Sequence, residues 1–312
     1  MNIHQLAVFH AVAEQGSLTR AAALLFISQP AVSKQLRELE RSLGMALFHR
    51  LSTGVRLTEA GELLLGYSRQ IFALEHQAES ALRELHNLER GRLRVGASTT
   101  IGTYMLPPAC ARFGRQYPRV ELALDIDNSR AIIERLRAGR IDLALVEGPL
   151  AEDEFVRDEI GRDDIVPIAS AFHPLCCLKE VSFEHLAEQP ILAREEGSGT
   201  RAVVAGAFES LGLAPLVKMT LGNTEAIKRS VAAGVAMAWV SRLAIEDEVK
   251  AGTLKVLGGR EVAIERPLFR LRVPGRYESR AVREFLRLLR KQVHGESGPH
   301  TEHTEQPAEA IG

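Results

Sequence analysis

One stretch, "EAGELLLGYSRQIFALEHQAESALRELHNLERG", constrains the fold more than any other. Ala60, Leu64, Tyr67, Ile71, Leu74, Ala78, Ala81, Leu85 and Leu88 recur in unbroken steps of four and three. That spacing keeps a narrow apolar stripe on one side of a helix for four heptads. A lone helix of this length leaves its stripe wet. The pattern therefore predicts pairing with a second copy over residues 59–90, as a two-helix coiled coil. The arrangement also open to it is a long core helix packed on its own domain. Gly91 ends the pattern and is expected to mark a domain boundary. The 312-residue chain is thus divided into a small part, residues 1–58, and a large part from residue 91.

The small part reads as three short helices and a hairpin. Leu6, Phe9, His10, Val12 and Ala13 recur at helical spacing up to Gly16. Ser17 is a natural N-cap for a helix from Leu18 to about Leu25, where Ala21, Ala22 and Ala23 allow another helix to come close. Ser28 caps the next helix, and Pro30 is tolerated in its first turn because amides there have no intrahelical partner. On this third helix Val32, Leu36, Leu39 and Leu43 form one apolar stripe. Pro30, Ser33, Lys34, Arg37 and Arg41 fall on the opposite face. Small residues near a helix N-terminus let the backbone approach base edges in a duplex. Gln29 and Lys34 can hydrogen-bond to bases there, and Arg37 and Arg41 suit phosphates.

Charge agrees with that reading without proving it. Residues 1–58 carry six basic and three acidic side chains, although the whole chain has a net charge of −1. The plainer alternative is a helical hairpin with a solvated basic face. The order helix, small-residue turn, Ser-capped helix is that of a helix-turn-helix, here residues 18–37. "LFHRLSTGVRLTEAG" adds two short strands around Ser52-Thr53-Gly54, a wing flanked by Arg50 and Arg56. The expected DNA-binding set is Ser28, Gln29, Pro30, Ser33, Lys34, Arg37, Arg41, Arg50 and Arg56.

At this point the sequence resembles a known family. "FHAVAEQGSLTRAAALLFISQPAVSKQLRELERSLGMALFHRLSTGVRLTEAG" is similar to the winged helix-turn-helix of LysR-type transcriptional regulators. The motif A-A-x-x-L-x-x-S-Q-P-A-V-S-x-Q-I/L-x-x-L-E-x-x-L-G-x-x-L-F-x-R is matched up to Arg50, with Lys34 at a position where the family also uses arginine or other residues. The resemblance extends over essentially the whole chain. It implies a multi-domain architecture: an all-α winged helix-turn-helix (1–58), a long linker and dimerisation helix (59–90), and a two-lobed α/β periplasmic-binding-protein-like effector domain (91–294). It also implies a homo-oligomer, commonly a homotetramer, that binds double-stranded operator DNA near a promoter, responds to a small effector and acts with RNA polymerase.

From Arg92 onward apolar runs alternate with helical segments. "LRVGAS", "VELALDID", "IDLALVEG", "IVPIAS" and "PILAREEG" read as strands, with amphipathic helices between them. Alternation of this kind predicts a parallel sheet covered by helices on both faces. The resemblance adds two strands crossing between lobes, placed near Gly161–Val166 and Ala263–Pro267. Lobe I is then about 91–163 with 266–294, and lobe II about 164–265.

In open α/β sheets ligands bind beyond the carboxyl ends of strands, near helix N-termini. Those ends supply Ser98, Thr99 and Thr100; Asn128 and Ser129; Glu147 and Gly148; Gly197, Ser198, Gly199, Thr200 and Arg201; and Asn223, Thr224 and Glu225. Hydroxyls and helix-terminal amides without compensating acids suit a small carboxylate, phosphate or sulfate. Ser, Thr and Asn are also the preferred helix N-caps, and capping alone accounts for any single one. Arg201 either pairs with Glu195 or Glu196 or holds the anion. By resemblance, Ser98 and Thr100, Asn128 and Ser129, and the 197–201 and 223–225 segments are the effector contacts. The variant "REEGSGTR" and "LGNTEAIKRSVAAG" is similar to members governing carbon fixation, sulfur or nitrogen metabolism.

Other classes find little support. No run approaches the roughly 18–20 apolar residues needed to span a bilayer. The N-terminus does not read as a secretory signal, so a cytoplasmic protein and no membrane partner are expected. Cys110, Cys176 and Cys177 form no C-x-x-C pair, which predicts buried or inert thiols. An enzyme or solute-binding protein built on the lobes is the competing class. Ser198 sits in no G-x-S-x-G, no H-E-x-x-H is present, and "EEGSGTR" lacks the Gly-Lys-Ser/Thr ending of a phosphate loop. No catalytic residue, cofactor or metal is expected. The segment 295–312 is polar and acidic, which predicts disorder, with His300 and His303 solvated.

Overall fold

The computed structural model describes residues 1–51, 54–84, 91–149, 154–178 and 180–294. The expected tail, 295–312, lies outside them. The chain forms two compact units, one of the N-terminal segment through the long helix together with Glu134–Asp142, and a larger α/β one.

In the N-terminal unit, α1 (Ile3–Gln15), α2 (Leu18–Leu25) and α3 (Gln29–Leu43) lead into strands β1 (Phe48–Leu51) and β2 (Gly54–Leu57), then α4 (Glu59–Glu84). Local chemistry sets each boundary. Asn2 and Gln5 form a reciprocal capping box, and Ser17 and Ser28 each accept an amide bond from the first turn of the helix they start. Phe9, Val12, Val32 and Leu39 are fully buried together. Each such side chain contributes roughly 1.5–3 kcal/mol of transfer free energy. Leu43 departs from the expected stripe: it lies at the last residue of α3 and is 37% exposed.

Helix α4 corrects the expected seam at its start. Ala60 and Leu64 pack with Leu65 into the N-terminal core and leave the free stripe. The exposed row begins instead at Leu63 and continues through Tyr67, Ile71, Leu74, Ala78 and Leu82. A straight helix drifts against a 3.5-residue repeat, so its first turns face the domain they leave. Leu85 and Leu88, and the side chain of Ala81, are outside the described residues. Gly91 opens a strand.

The larger unit begins with β3 (Gly91–Ser98), a wide turn of π type (Ile101–Met105) and α5 (Leu106–Gln116). Next come β4 (Val120–Asp127), α6 (Ser129–Arg137), β5 (Leu143–Glu147) and the long β6 (Val156–Ser170). Then follow α7 (Phe183–Ala187), β7 (Pro190–Arg194), α8 (Gly199–Ser210), β8 (Leu216–Leu221), α9 (Thr224–Ala232) and β9 (Met237–Ser241). The chain closes with α10 (Glu246–Lys250), β10 (Leu254–Val256), β11 (Ile264–Arg272) and α11 (Arg280–His294).

The strands run in the order β4-β3-β5-β11-β6-β9-β7-β8, with β10 also on β6. Within each lobe β3 pairs in parallel with β4 and β5, and β7 with β8 and β9. The sheet is not wholly parallel as expected. β6 and β11 pair antiparallel with each other, and each continues antiparallel into one lobe. A chain that crosses between lobes and returns must traverse the junction in opposite directions. Ile165 opposite Ile264 and Asp163 opposite Arg266 mark that junction, where the crossing was expected. Lobe I packs α5 and α11 around Phe113 and Phe285. Lobe II covers one face with Phe208 and Trp239 and the other with Ile227 and Val231. Cys110 and Cys176 are half-buried, while Cys177 is exposed.

Candidate DNA interface and effector cleft

On α3 the apolar stripe is shut and the opposite face is open. Val32, Leu36 and Leu39 are buried, whereas Gln29, Pro30, Lys34, Arg37 and Arg41 are exposed and Ser33 is half-exposed. The exposed groups partly satisfy one another along the helix. Gln29 Nε2 donates to Ser33 Oγ at 3.1 Å, and Lys34 Nζ lies 3.9 Å from Glu38. Such surface contacts cost little to exchange for a base or phosphate. Ser28 Oγ accepts the Ala31 amide at 3.3 Å and acts first as a cap. In the wing, Arg56 is exposed on β2, and Arg50 pairs by backbone with Val55. The Arg50 side chain, Ser52 and Thr53 lie outside the described residues. Phe26, which the sequence reading passed over, stands 94% exposed at the α2–α3 turn with φ of 54°.

In the two-lobed unit the expected strand-end residues do meet, but around charged groups that the pattern did not single out. Arg266, on β11, is fully buried. Its Nε and Nη2 donate to Asp163 Oδ2 at 3.0 and 2.7 Å, Nη1 to Thr200 Oγ1 at 3.0 Å, and Nη2 to Thr100 Oγ1 at 3.1 Å. Nη1 also lies 3.4 Å from Glu147 Oε1. One guanidinium therefore ties a lobe I hydroxyl, a lobe II hydroxyl and two carboxylates together. Ser241 Oγ donates to the other oxygen of Asp163 at 2.8 Å. Ser98 Oγ donates to Glu147, and Ser129 Oγ donates to the Glu147 carbonyl at 3.0 Å. Burial pushes the Glu147 carboxyl up, and nearby Asp163 adds to this against the pull of Arg266.

Arg194, at the end of β7, forms a second knot. It grips Glu195 through Nε and Nη2, both at 2.8 Å, donates to Thr224 Oγ1 at 3.0 Å, and reaches Thr99 Oγ1 of lobe I at 3.4 Å. Burial alone would raise Glu195, but the Arg194 hydrogen bonds and charge hold it below its ordinary value. Arg201 pairs with neither Glu195 nor Glu196 in a recorded ion pair; its Nη1 donates to the Arg194 carbonyl at 3.0 Å. Asn128, Ser198 and Asn223 each accept helix-start amides, which is the plain capping role. Glu225 is exposed and accepts from Tyr104 at 2.6 Å and from Lys228 at 2.7 Å.

The lobes touch directly as well. A Cβ on Gly148 would lie 2.8 Å from Gly199 Cα, and one on Gly199 would lie 2.2 Å from the Glu147 carbonyl oxygen, so this approach needs glycine on both sides. Arg130 N–H donates to the Gly197 carbonyl at 3.2 Å. The expectation of hydroxyls without compensating acids is therefore corrected: Glu147, Asp163 and Glu195 sit among them. Arg194, Arg266 and Asp163 were missed. Their available signal was a charge in a segment expected to run as a strand, which must find a partner when buried.

A helix-turn-helix with an open basic face, followed by a two-lobed α/β unit with a polar junction, defines a DNA-binding regulator carrying a ligand-binding type of domain. Two family models match: "Bacterial regulatory helix-turn-helix protein, lysR family" over residues 3–62 and "LysR substrate binding domain" over residues 86–294. The chain belongs to the LysR family of transcriptional regulators. It is 36% identical over 290 residues to the uncharacterized HTH-type transcriptional regulator YeiE of Escherichia coli K12, covering 92% of this chain and 96% of that one. Full-length OxyR from Pseudomonas aeruginosa superposes with a TM-score of 0.73 at 24% identity, covering 98% of this chain and 99% of that one. The CcmR regulatory domain of Synechocystis PCC6803, solved in complex with 2-PG, has a TM-score of 0.62 at 28% identity, covering 66% of this chain and 99% of that one. The family and these relatives are transcriptional regulators rather than enzymes. No described helix is long and apolar enough to cross a membrane.

Proposed function

We propose that this chain regulates transcription in the cytoplasm as a homo-oligomer, reading operator DNA with α3 and a small anionic metabolite with the cleft between its lobes. The observation that carries the DNA assignment is the division of α3: buried Val32, Leu36 and Leu39 on one side, open Pro30, Lys34, Arg37 and Arg41 on the other. In this reading Ser33 and Lys34 face base edges, Gln29 gives up its bond to Ser33 for an adenine edge, and Arg37, Arg41, Arg50 and Arg56 meet phosphates. The exposed row on α4 supports pairing of two chains, which would set the spacing of half-sites. A pair of such dimers forms the tetramer, and RNA polymerase is the machinery the bound assembly acts on.

For the effector, the support is a cluster of guanidinium groups and hydroxyls shared by both lobes. Arg266 donates four hydrogen bonds, lies beside Glu147 at 3.4 Å and serves as the pin of the junction. Arg194 keeps one N–H without a recorded acceptor and, with Arg201 and the α8 N-terminus at Ser198, offers donors to an anion. An anion bridging Arg194 and Thr99 would favour the closed arrangement, and that difference in affinity is what moves the equilibrium between lobe arrangements. The 2-PG complex of CcmR favours a small anion over a neutral ligand here.

Fluorescence anisotropy with a duplex from the DNA flanking the chain's own coding region tests the DNA assignment. Ser33→Ala/Lys34→Ala is expected to weaken binding by roughly ten- to a hundredfold, since a good base contact is worth about 1–3 kcal/mol. An unchanged affinity in a variant that melts like the parent would overturn it.

A further inference from the structure

Beyond the cleft, β11 and α11 enclose a recess of about 410 Å³ with an unusual charge balance. Arg270, Arg283, Arg287, Arg290 and Lys291 line it, with Glu278 as the one acid among its lining residues. Arg270 lies four residues beyond Arg266, about 13 Å further along the strand. The nearby carboxylates are already committed. Glu278 pairs with Arg270, Glu284 accepts from Arg287 at 2.8 Å and from Tyr117 at 3.0 Å, and Asp158 is shared between Arg272 and Arg270 at 2.9 and 3.8 Å. Arg290 and Lys291 are exposed and have no carboxylate partner among the described residues.

The floor of the recess supplies a second observation. Arg270 is only 7% exposed, and its Nε is enclosed without a hydrogen-bond acceptor. A buried guanidinium with an unused donor is costly unless something nearby balances it. Burial lowers the pKa of Arg270 most, and Arg272 and Arg290 push the same way against Asp158. Several cations converging on one concavity repel one another until an anion enters.

We propose that this recess is a second ligand site, taking a small polyanion of the phosphate-ester or pyrophosphate class. Guanidinium forks suit phosphate oxygens, and several forks with a lysine match a ligand bearing two or more negative charges. A small ligand fits better than a nucleic-acid backbone because the cations line a recess of a few hundred Å³.

Calorimetric titration of the full chain with pyrophosphate at low salt tests this. Arg290→Gln/Lys291→Gln alters only exposed side chains and is expected to weaken binding about tenfold or more. Arg283→Gln is expected to weaken it as well, and provides a separate reading if the double variant melts early. Arg201→Gln, in the cleft, is expected to leave this binding in place. Binding unchanged in both recess variants, or lost in Arg201→Gln, would overturn the assignment. Displacement of pyrophosphate by a stoichiometric duplex of unrelated sequence would also overturn it and assign the surface to nucleic acid.

Discussion

Truncating Asp163 to alanine puts the junction between the lobes to a direct thermodynamic test. Asp163 accepts two hydrogen bonds from Arg266 and one from Ser241, and neither charged partner is more than 5% exposed. The variant leaves a fully buried guanidinium with Glu147, 3.4 Å away, as its recorded carboxylate partner. Breaking a buried pair by removing one partner costs about 3–5 kcal/mol. In a domain of this size 1 kcal/mol moves the melting temperature by about 2–4 °C, so the effector domain should melt roughly 6–20 °C lower.

Calorimetric and far-UV melting of Asp163→Ala, Thr100→Val and the double variant would check both the size and the origin of the effect. Thr100→Val removes one bond to the same guanidinium and should cost about 1–3 kcal/mol. Because both residues share Arg266, their effects should not add, with an interaction of at least 0.5 kcal/mol. A loss below about 1 kcal/mol for Asp163→Ala, or strict additivity, would refute the claim that Arg266 depends on this network.

Three further outcomes are expected. The pKa of Glu147 is raised on folding, so the folded state holds its proton more tightly, and this stabilising contribution is full below about pH 4.5 and is lost as pH rises through the folded value. Glu147→Gln should flatten that part of the stability–pH curve, measured by urea unfolding, and an unaltered curve would assign the slope to other groups. Leu74 and Leu82 are 66% and 63% exposed in the single chain, so Leu74→Glu/Leu82→Glu should cost that chain little. Sedimentation should nevertheless show dissociation, and operator affinity should fall; an intact oligomer would refute pairing through α4. Phe26 holds a left-handed backbone conformation with φ of 54°, which asparagine tolerates better. Phe26→Asn should raise the stability of the N-terminal unit by about 1 kcal/mol, and a lower melting temperature would show that the exposed ring makes a stabilising contact.

The N-terminal unit was legible because its signals are local. Ser17 and Ser28 cap the helices they were expected to cap, and Val32, Leu36 and Leu39 are buried as their spacing implied. The seam of α4 was legible over Tyr67, Ile71, Leu74 and Ala78 but not at its start. Which side of a long helix belongs to its own domain depends on tertiary contacts, and those drew in Ala60 and Leu64 and left Leu63 outside.

The cleft shows why residues can be expected together while the chemistry around them is misjudged. Strand ends and caps identified Ser98, Thr100, Ser129 and Thr200, because each sits where a strand hands over to a helix. Whether such a hydroxyl serves a ligand or a neighbour depends on residues distant in the chain. Thr100 and Thr200 accept from the same guanidinium, although Arg266 lies 166 and 66 positions away. Arg266 occupies an otherwise strand-like segment, "IERPLFRLR", where the sequence shows only that a charge is present. Its burial follows from β11 crossing between the lobes opposite β6, which brings Asp163 beside it. The same argument applies to Arg270 on that strand, whose enclosed Nε depends on tertiary burial that the local sequence does not encode. A buried arginine on a strand therefore points to a buried polar partner: Asp163 for Arg266, and Glu278 with Asp158 for Arg270.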